Sequence, residues 1–162
     1  MASLADIVRH ANGVNVNVVF TPSFSFSPDS TDKEIYDNIT YLFCNNQELT
    51  SLPYLPLVTD LWCSNNKLTS LPELPSVKYL ICDNNQLTSL PASLPNIFEL
   101  RCQSNKLTSI PRYESLVYLW CGWNNIEMIT TGLNLHWIDC TNNPLSNMVI
   151  GRAPVGYILQ KY

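Results

Sequence analysis

Six cysteines and two histidines are the residues of this 162-residue chain whose types could do chemistry. Cys44, Cys63, Cys82, Cys102, Cys121 and Cys140 could pair as disulfides or bind a metal as thiolates. One of them could also act as a nucleophile beside His10 or His136. The intervals between the cysteines are 19, 19, 20, 19 and 19 residues. No C-x-x-C pair occurs, and the two histidines do not complete a zinc pattern. Neither histidine has a Ser or Cys partner at a motif spacing, and no glycine-rich phosphate loop is present. The expectation is a non-enzyme with no catalytic residue, no metal ligand and no cofactor.

A constant interval points instead to one structural position used six times. Two residues before each cysteine stand Leu42, Leu61, Leu80, Leu100, Leu119 and Ile138. Five residues after come Leu49, Leu68, Leu87, Leu107, Ile126 and Leu145, and eight after come Leu52, Leu71, Leu90, Ile110, Ile129 and Met148. Three after the cysteine lies Gln47, then Asn66, Asn85, Asn105, Asn124 and Asn143. The Leu-x-Cys alternation is the period of a strand, with Leu and Cys on one face. Stacked copies form a parallel sheet, in which the cysteines serve as small buried apolar residues and in-register neighbours make poor disulfides. The Asn amide, with two donors and an acceptor, suits the backbone groups freed where the chain leaves the strand. Gln47 breaks that column and suggests a frayed first rung. The return path carries Pro53, Pro56, Pro72, Pro75, Pro91, Pro95 and Pro111, which disfavour a helix and favour an extended, polyproline-like course.

The unit L-x-C-x-x-N-x-L-x-x-L-P resembles the leucine-rich repeat. The phrases from Leu68 to Pro75 and from Leu87 to Pro95 are similar to the short repeats of bacterial type III secreted effectors. The strand cysteine, as in the segment from Leu80 to Leu90, looks more like repeat proteins encoded by giant DNA viruses. The resemblance covers about two thirds of the chain. It implies a mostly β leucine-rich-repeat solenoid with a parallel concave sheet of about six strands and an extended convex side. It also implies protein binding. Effectors of the ubiquitin-ligase type add a catalytic domain with a Cys-x-Asp motif; no Cys-x-Asp occurs here, and that activity is not expected.

The outward residues of the strands line the concave face, the usual binding surface of such solenoids. They supply the candidate partner-binding residues Tyr41, Phe43, Asp60, Trp62, Tyr79, Ile81, Asp83, Glu99, Arg101, Tyr118, Trp120 and Trp137, with Trp123 just beyond. Seven of the eighteen outward positions are aromatic against 10% of the whole chain, a composition common in interface hot spots. Aromatic residues also simply suit strands and stack across them, and they could stack on sugar rings.

Three segments follow: residues 1–38 as an N-terminal cap or assembly arm, 39–148 as six repeats and 149–162 as a C-terminal cap. Residues 14–27 alternate like a capping hairpin or an arm that adds to a sheet edge, and the polar stretch beginning at Pro28 reads as a loop or one helical turn. Residues 155–159 form an apolar run suited to closing the far end. Nine basic against thirteen acidic residues give a net charge of −4, which argues against nucleic acid. No membrane span or Sec-type signal peptide is visible, so a reducing intracellular compartment or a virion is expected. A protein-binding module is the first expectation. With only 14% charged residues, an architectural subunit of a large assembly, such as a minor virion component, is the second.

Overall fold

The computed structural model describes residues 4–9, 16–25, 27, 29–130, 132, 134–149 and 159–160. The chain is mostly β, a solenoid of stacked coils joined by parallel pairing. The repeat strands are β2 (Ile39–Phe43), β3 (Asp60–Trp62), β4 (Tyr79–Ile81), β5 (Glu99–Arg101), β7 (Tyr118–Trp120) and β9 (Trp137–Asp139), one for each cysteine. Two more strands complete an eight-stranded sheet, β1 (Asn17–Phe20) at one end and β11 (Leu159–Gln160) at the other. β1 runs antiparallel to β2, and β11 runs parallel to β9.

A second sheet was not expected. On the return path β6 (Ser109–Ile110), β8 (Met128–Thr130) and β10 (Asn147–Val149) pair in parallel. Proline explains where this sheet stops. Pro53, Pro72 and Pro91 follow the second leucine of the first three coils, and Pro111 follows it in the fourth. A prolyl nitrogen has no hydrogen to donate to a ladder. In the last two coils Thr130 and Val149 take that place, and they pair with each other.

The interior is one continuous apolar column. Leu61, Cys63 and Leu68 are fully buried, as are Leu80, Cys82 and Leu87 in the next coil. Two inward columns lie outside the motif that exposes the repeat. Val58, Val77, Ile97, Leu116 and Leu135 stand five residues before the cysteine, and Leu55, Leu74, Leu94 and Tyr113 stand eight before; all are buried. Tyr113 keeps its hydroxyl satisfied by donating to the carbonyl of Pro91 at 2.5 Å.

The asparagine column is the polar counterpart of that core. Asn66 Nδ2 donates to Cys44 O and Cys63 O, both at 2.9 Å, while its Oδ1 accepts from Leu49 N at 2.9 Å. Asn85, Asn105, Asn124 and Asn143 each repeat this pattern on the coil before. Gln47 is not frayed, contrary to the sequence expectation. Its Nε2 donates to Asn45 O at 2.9 Å and its backbone nitrogen to Asn66 Oδ1 at 3.1 Å. No earlier repeat precedes it, so the bridging geometry of Asn has nothing to bridge there.

The N-terminal segment is more helical than the sequence suggested. α1 (Leu4–Arg9) and α2 (Asp32–Asn38) pack together, burying Leu4, Ala5, Val8 and Ile35 over the first coil. α2 replaces the expected loop or single turn. Thr31 opens it with a capping box, its hydroxyl and Glu34 closing on each other's backbone. Among the described residues, the expected hairpin of residues 14–27 reduces to β1. Phe24 stands outside any strand and packs its ring 5.0 Å from that of Phe20. Residues 14, 15, 26 and 155–158 of the two expected terminal segments lie outside the described residues. Among those described, no helix is long and apolar enough to cross a membrane.

Candidate functional site

The open face of the eight-stranded sheet carries two side-chain rows in strict register. Tyr41, Asp60, Tyr79, Glu99, Tyr118 and Trp137 face one another on successive strands. Phe43, Trp62, Ile81, Arg101, Trp120 and Asp139 form the row beside it. A one-residue slip would send these groups into the core, so the Leu and Cys columns behind them fix the rows.

The rings connect across the coils. Phe43 and Trp62 lie 5.8 Å apart between centroids. A longer run links Tyr79 to Phe98 at 5.8 Å, Phe98 to Tyr118 at 5.4 Å, Tyr118 to Trp120 at 6.2 Å and Trp120 to Trp137 at 6.4 Å. Most of these pairs are tilted or edge-to-face, arrangements that suit the ring quadrupoles. Trp62 remains 38% exposed, whereas Ile81 is buried. Trp137 is half-buried, and its indole nitrogen has no acceptor among the described residues.

Phe98 is the member that strand alternation misses. Alternation would turn the residue four before the cysteine inward. The chain is still bending there, and Ile97 takes the inner position, so the Phe98 ring is left on the open side. The exposed aromatic beside a strand start was the only available signal.

One cation is held within the aromatic run. The Arg101 guanidinium lies 4.5 Å from the centre of the Trp120 ring, and its Nε donates to Glu99 Oε1 at 2.7 Å. The guanidinium thus has a ring on its face and a carboxylate at its edge.

Asp83 and Trp123 stand apart from the two rows. Asp83 belongs to a second ladder of side chains that grip the next coil. Asn45 Oδ1 accepts from Ser64 N at 2.7 Å, Ser64 Oγ from Asp83 N at 3.1 Å, and Asp83 Oδ1 from Gln103 N at 2.8 Å. Burial raises the Asp83 carboxyl above its ordinary pKa, partly offset by the Gln103 amide and by Arg101. Trp123 lies on the turn that leaves the strand, 61% exposed, with φ of 58°. Asn46, Asn65, Asn84, Ser104 and Asn142 hold the same left-handed place in the other coils.

The six cysteines are buried thiols, not joined in disulfides. Burial pushes Cys44 up to about 12 and raises Cys63, Cys82, Cys102 and Cys121 as well. Cys82 Sγ donates to Arg101 O at 3.3 Å, so this thiol is held as a thiol. No group of His, Cys, Asp and Glu suited to a metal occurs among the described residues. No protein-family model matches the chain, and no curated protein matches it by sequence.

Proposed function

We propose that the chain is a non-enzymatic interaction module whose partner protein lies across the open face of the eight-stranded sheet. The observation that carries this reading is the aromatic run from Tyr79 through Phe98, Tyr118 and Trp120 to Trp137, with exposed Trp62 beside it. Large rigid rings flanked by Arg101 supply much contact area at little entropic cost. Carboxylates at Asp60, Glu99 and Asp139 would repel phosphate, which disfavours nucleic acid. Six buried thiols outside any disulfide suit a reducing intracellular compartment.

Selection from a displayed peptide library against the intact chain tests this reading. Clones that lose binding to the Trp62→Ala, Trp120→Ala double variant support it. Clones that bind the double variant as well as the parent, with its unfolding transition unchanged, overturn it.

An architectural role is the second reading, favoured by the open edge of β1. That strand ends the sheet among the described residues and leaves Val19 50% exposed. Sedimentation separates the two. A monomer at micromolar concentration supports the module, and concentration-dependent growth supports the assembly subunit.

A further inference from the structure

We infer that the open face selects an extended cationic segment of its partner, with two basic side chains about six residues apart seated at Asp60 and Asp139. This rests on the reading of that face as the partner surface.

Charge supplies the first argument. The two rows of the open face hold the carboxylates Asp60, Glu99 and Asp139 and one cation, Arg101. That leaves an excess of two negative charges on the face, out of four for the whole chain. The face therefore favours a positive partner, and most strongly at low ionic strength.

The second argument is that the surface already contains one complete guanidinium seat. Arg101 rests on Trp120 and is clasped by Glu99. Asp60 has comparable surroundings without the cation. Tyr41 and Tyr79 stand in register on either side of it, and Trp62 lies two residues along the same strand. Asp60 accepts from Thr59 Oγ1 at 2.6 Å. Asp139 follows Trp137 on its strand and is in register with Trp120. It accepts from Thr141 N at 3.0 Å and Gln103 Nε2 at 3.3 Å. Neither carboxylate is ion-paired among the described residues.

Spacing gives the pattern. β3 and β9 are four strand steps apart, about 19 Å, and the two carboxylates are also offset by two residues along the strands. The diagonal is about 20 Å, which an extended chain covers in about six residues, returning a side chain to the same face. The seat midway is filled by Arg101, so a basic residue at the centre of the segment would be repelled.

The test uses a fluorescein-labelled peptide, Arg-Ser-Pro-Ala-Pro-Ser-Arg, titrated with the intact chain by anisotropy. The same residues with adjacent arginines should bind at least fivefold more weakly, and a version with Glu for Arg should not bind. Asp60→Asn, which keeps its one acceptor oxygen, and Asp139→Asn, which keeps the acceptor for Thr141 N but not that for Gln103 Nε2, should each weaken the spaced peptide about five- to tenfold. Glu73→Gln, the same charge change at an exposed site in a return segment, should weaken it less than twofold. Equal effects of all three variants, equal affinity for both arginine peptides, or preferential binding of a chito-oligosaccharide would overturn the inference. If library clones depend on Trp62 and Trp120 but not on Asp60 or Asp139, this inference fails and the proposed surface stands. If clones ignore the two tryptophans, the surface itself fails.

Discussion

The side-chain nitrogen of Asn85 donates to the carbonyl oxygen of Cys63, 22 residues earlier in the chain, at 3.0 Å. The same nitrogen reaches Cys82 O at 3.1 Å, and Asn85 Oδ1 accepts from Leu68 N at 3.0 Å. One buried amide therefore ties two coils at their point of departure from the sheet. Asn85→Ala would strand several of these groups away from water and should cost about 3 kcal/mol. Gln47→Ala should cost about 1 kcal/mol or less, because Gln47 bridges no earlier repeat. Urea unfolding of the two variants checks the difference, and equal losses would refute the ladder as a source of stability.

The thiol ladder predicts alkaline fragility. Burial holds the folded Cys44 thiol up to about 12 against an ordinary 9.0, and four further thiols are raised. Between those values the unfolded chain loses protons that the folded chain keeps. Stability is therefore complete below about pH 9 and falls as pH rises, by about 1.4 kcal/mol per pH unit for each thiol. Cooperative unfolding should set in within about two units above pH 9. Cys63→Ala together with Cys102→Ala should flatten the slope of stability against pH above 9, measured by urea titration at stepped pH. At neutral pH a thiol reagent should label none of the six until the chain unfolds.

Much of this was legible because each requirement recurs. Cys is asked for at the same place six times, and Leu and Asn five times each in their columns, and repetition separates a requirement from an accident. What occurs once was harder to see. Ile97 and Phe98 swap the sides that alternation assigns them, because the bend before the strand is a tertiary outcome. Thr130 in place of proline opened a second sheet that the prolines of earlier coils conceal. In α2 the capping box of Thr31 and Glu34 was present in the sequence, but with only seven residues it gives too few turns for a helical period to show.

Gly132 closes the column that Leu55, Leu74, Leu94 and Tyr113 fill in earlier coils. A Cβ there would stand 2.7 Å from Tyr113 O and 2.9 Å from Glu114 Cα. Both are backbone atoms that cannot rotate aside. Gly132→Ala should destabilise by about 2 kcal/mol, the usual scale of overpacking. Thermal unfolding of this variant checks it, with His136→Ala as an exposed control close by in the chain. A Gly132→Ala variant as stable as the parent would show that the segment shifts freely.

Trp123 occupies a backbone conformation that five of the other coils assign to Asn or Ser. At φ of 58° its Cβ crowds its own carbonyl, a penalty of about 1 kcal/mol that Asn relieves. The ring returns little of this through burial, because 61% of the residue remains exposed. Trp123→Asn should therefore stabilise the free chain by about 1 kcal/mol, read as a higher urea midpoint with unchanged slope. The same substitution also tests whether the ring has a use. If it raises stability and weakens binding of library-selected clones, the strain is retained for contact with the partner at the rim of the face. If it raises stability and leaves binding unchanged, the recognition surface ends at Trp120 and Trp137, inside the sheet.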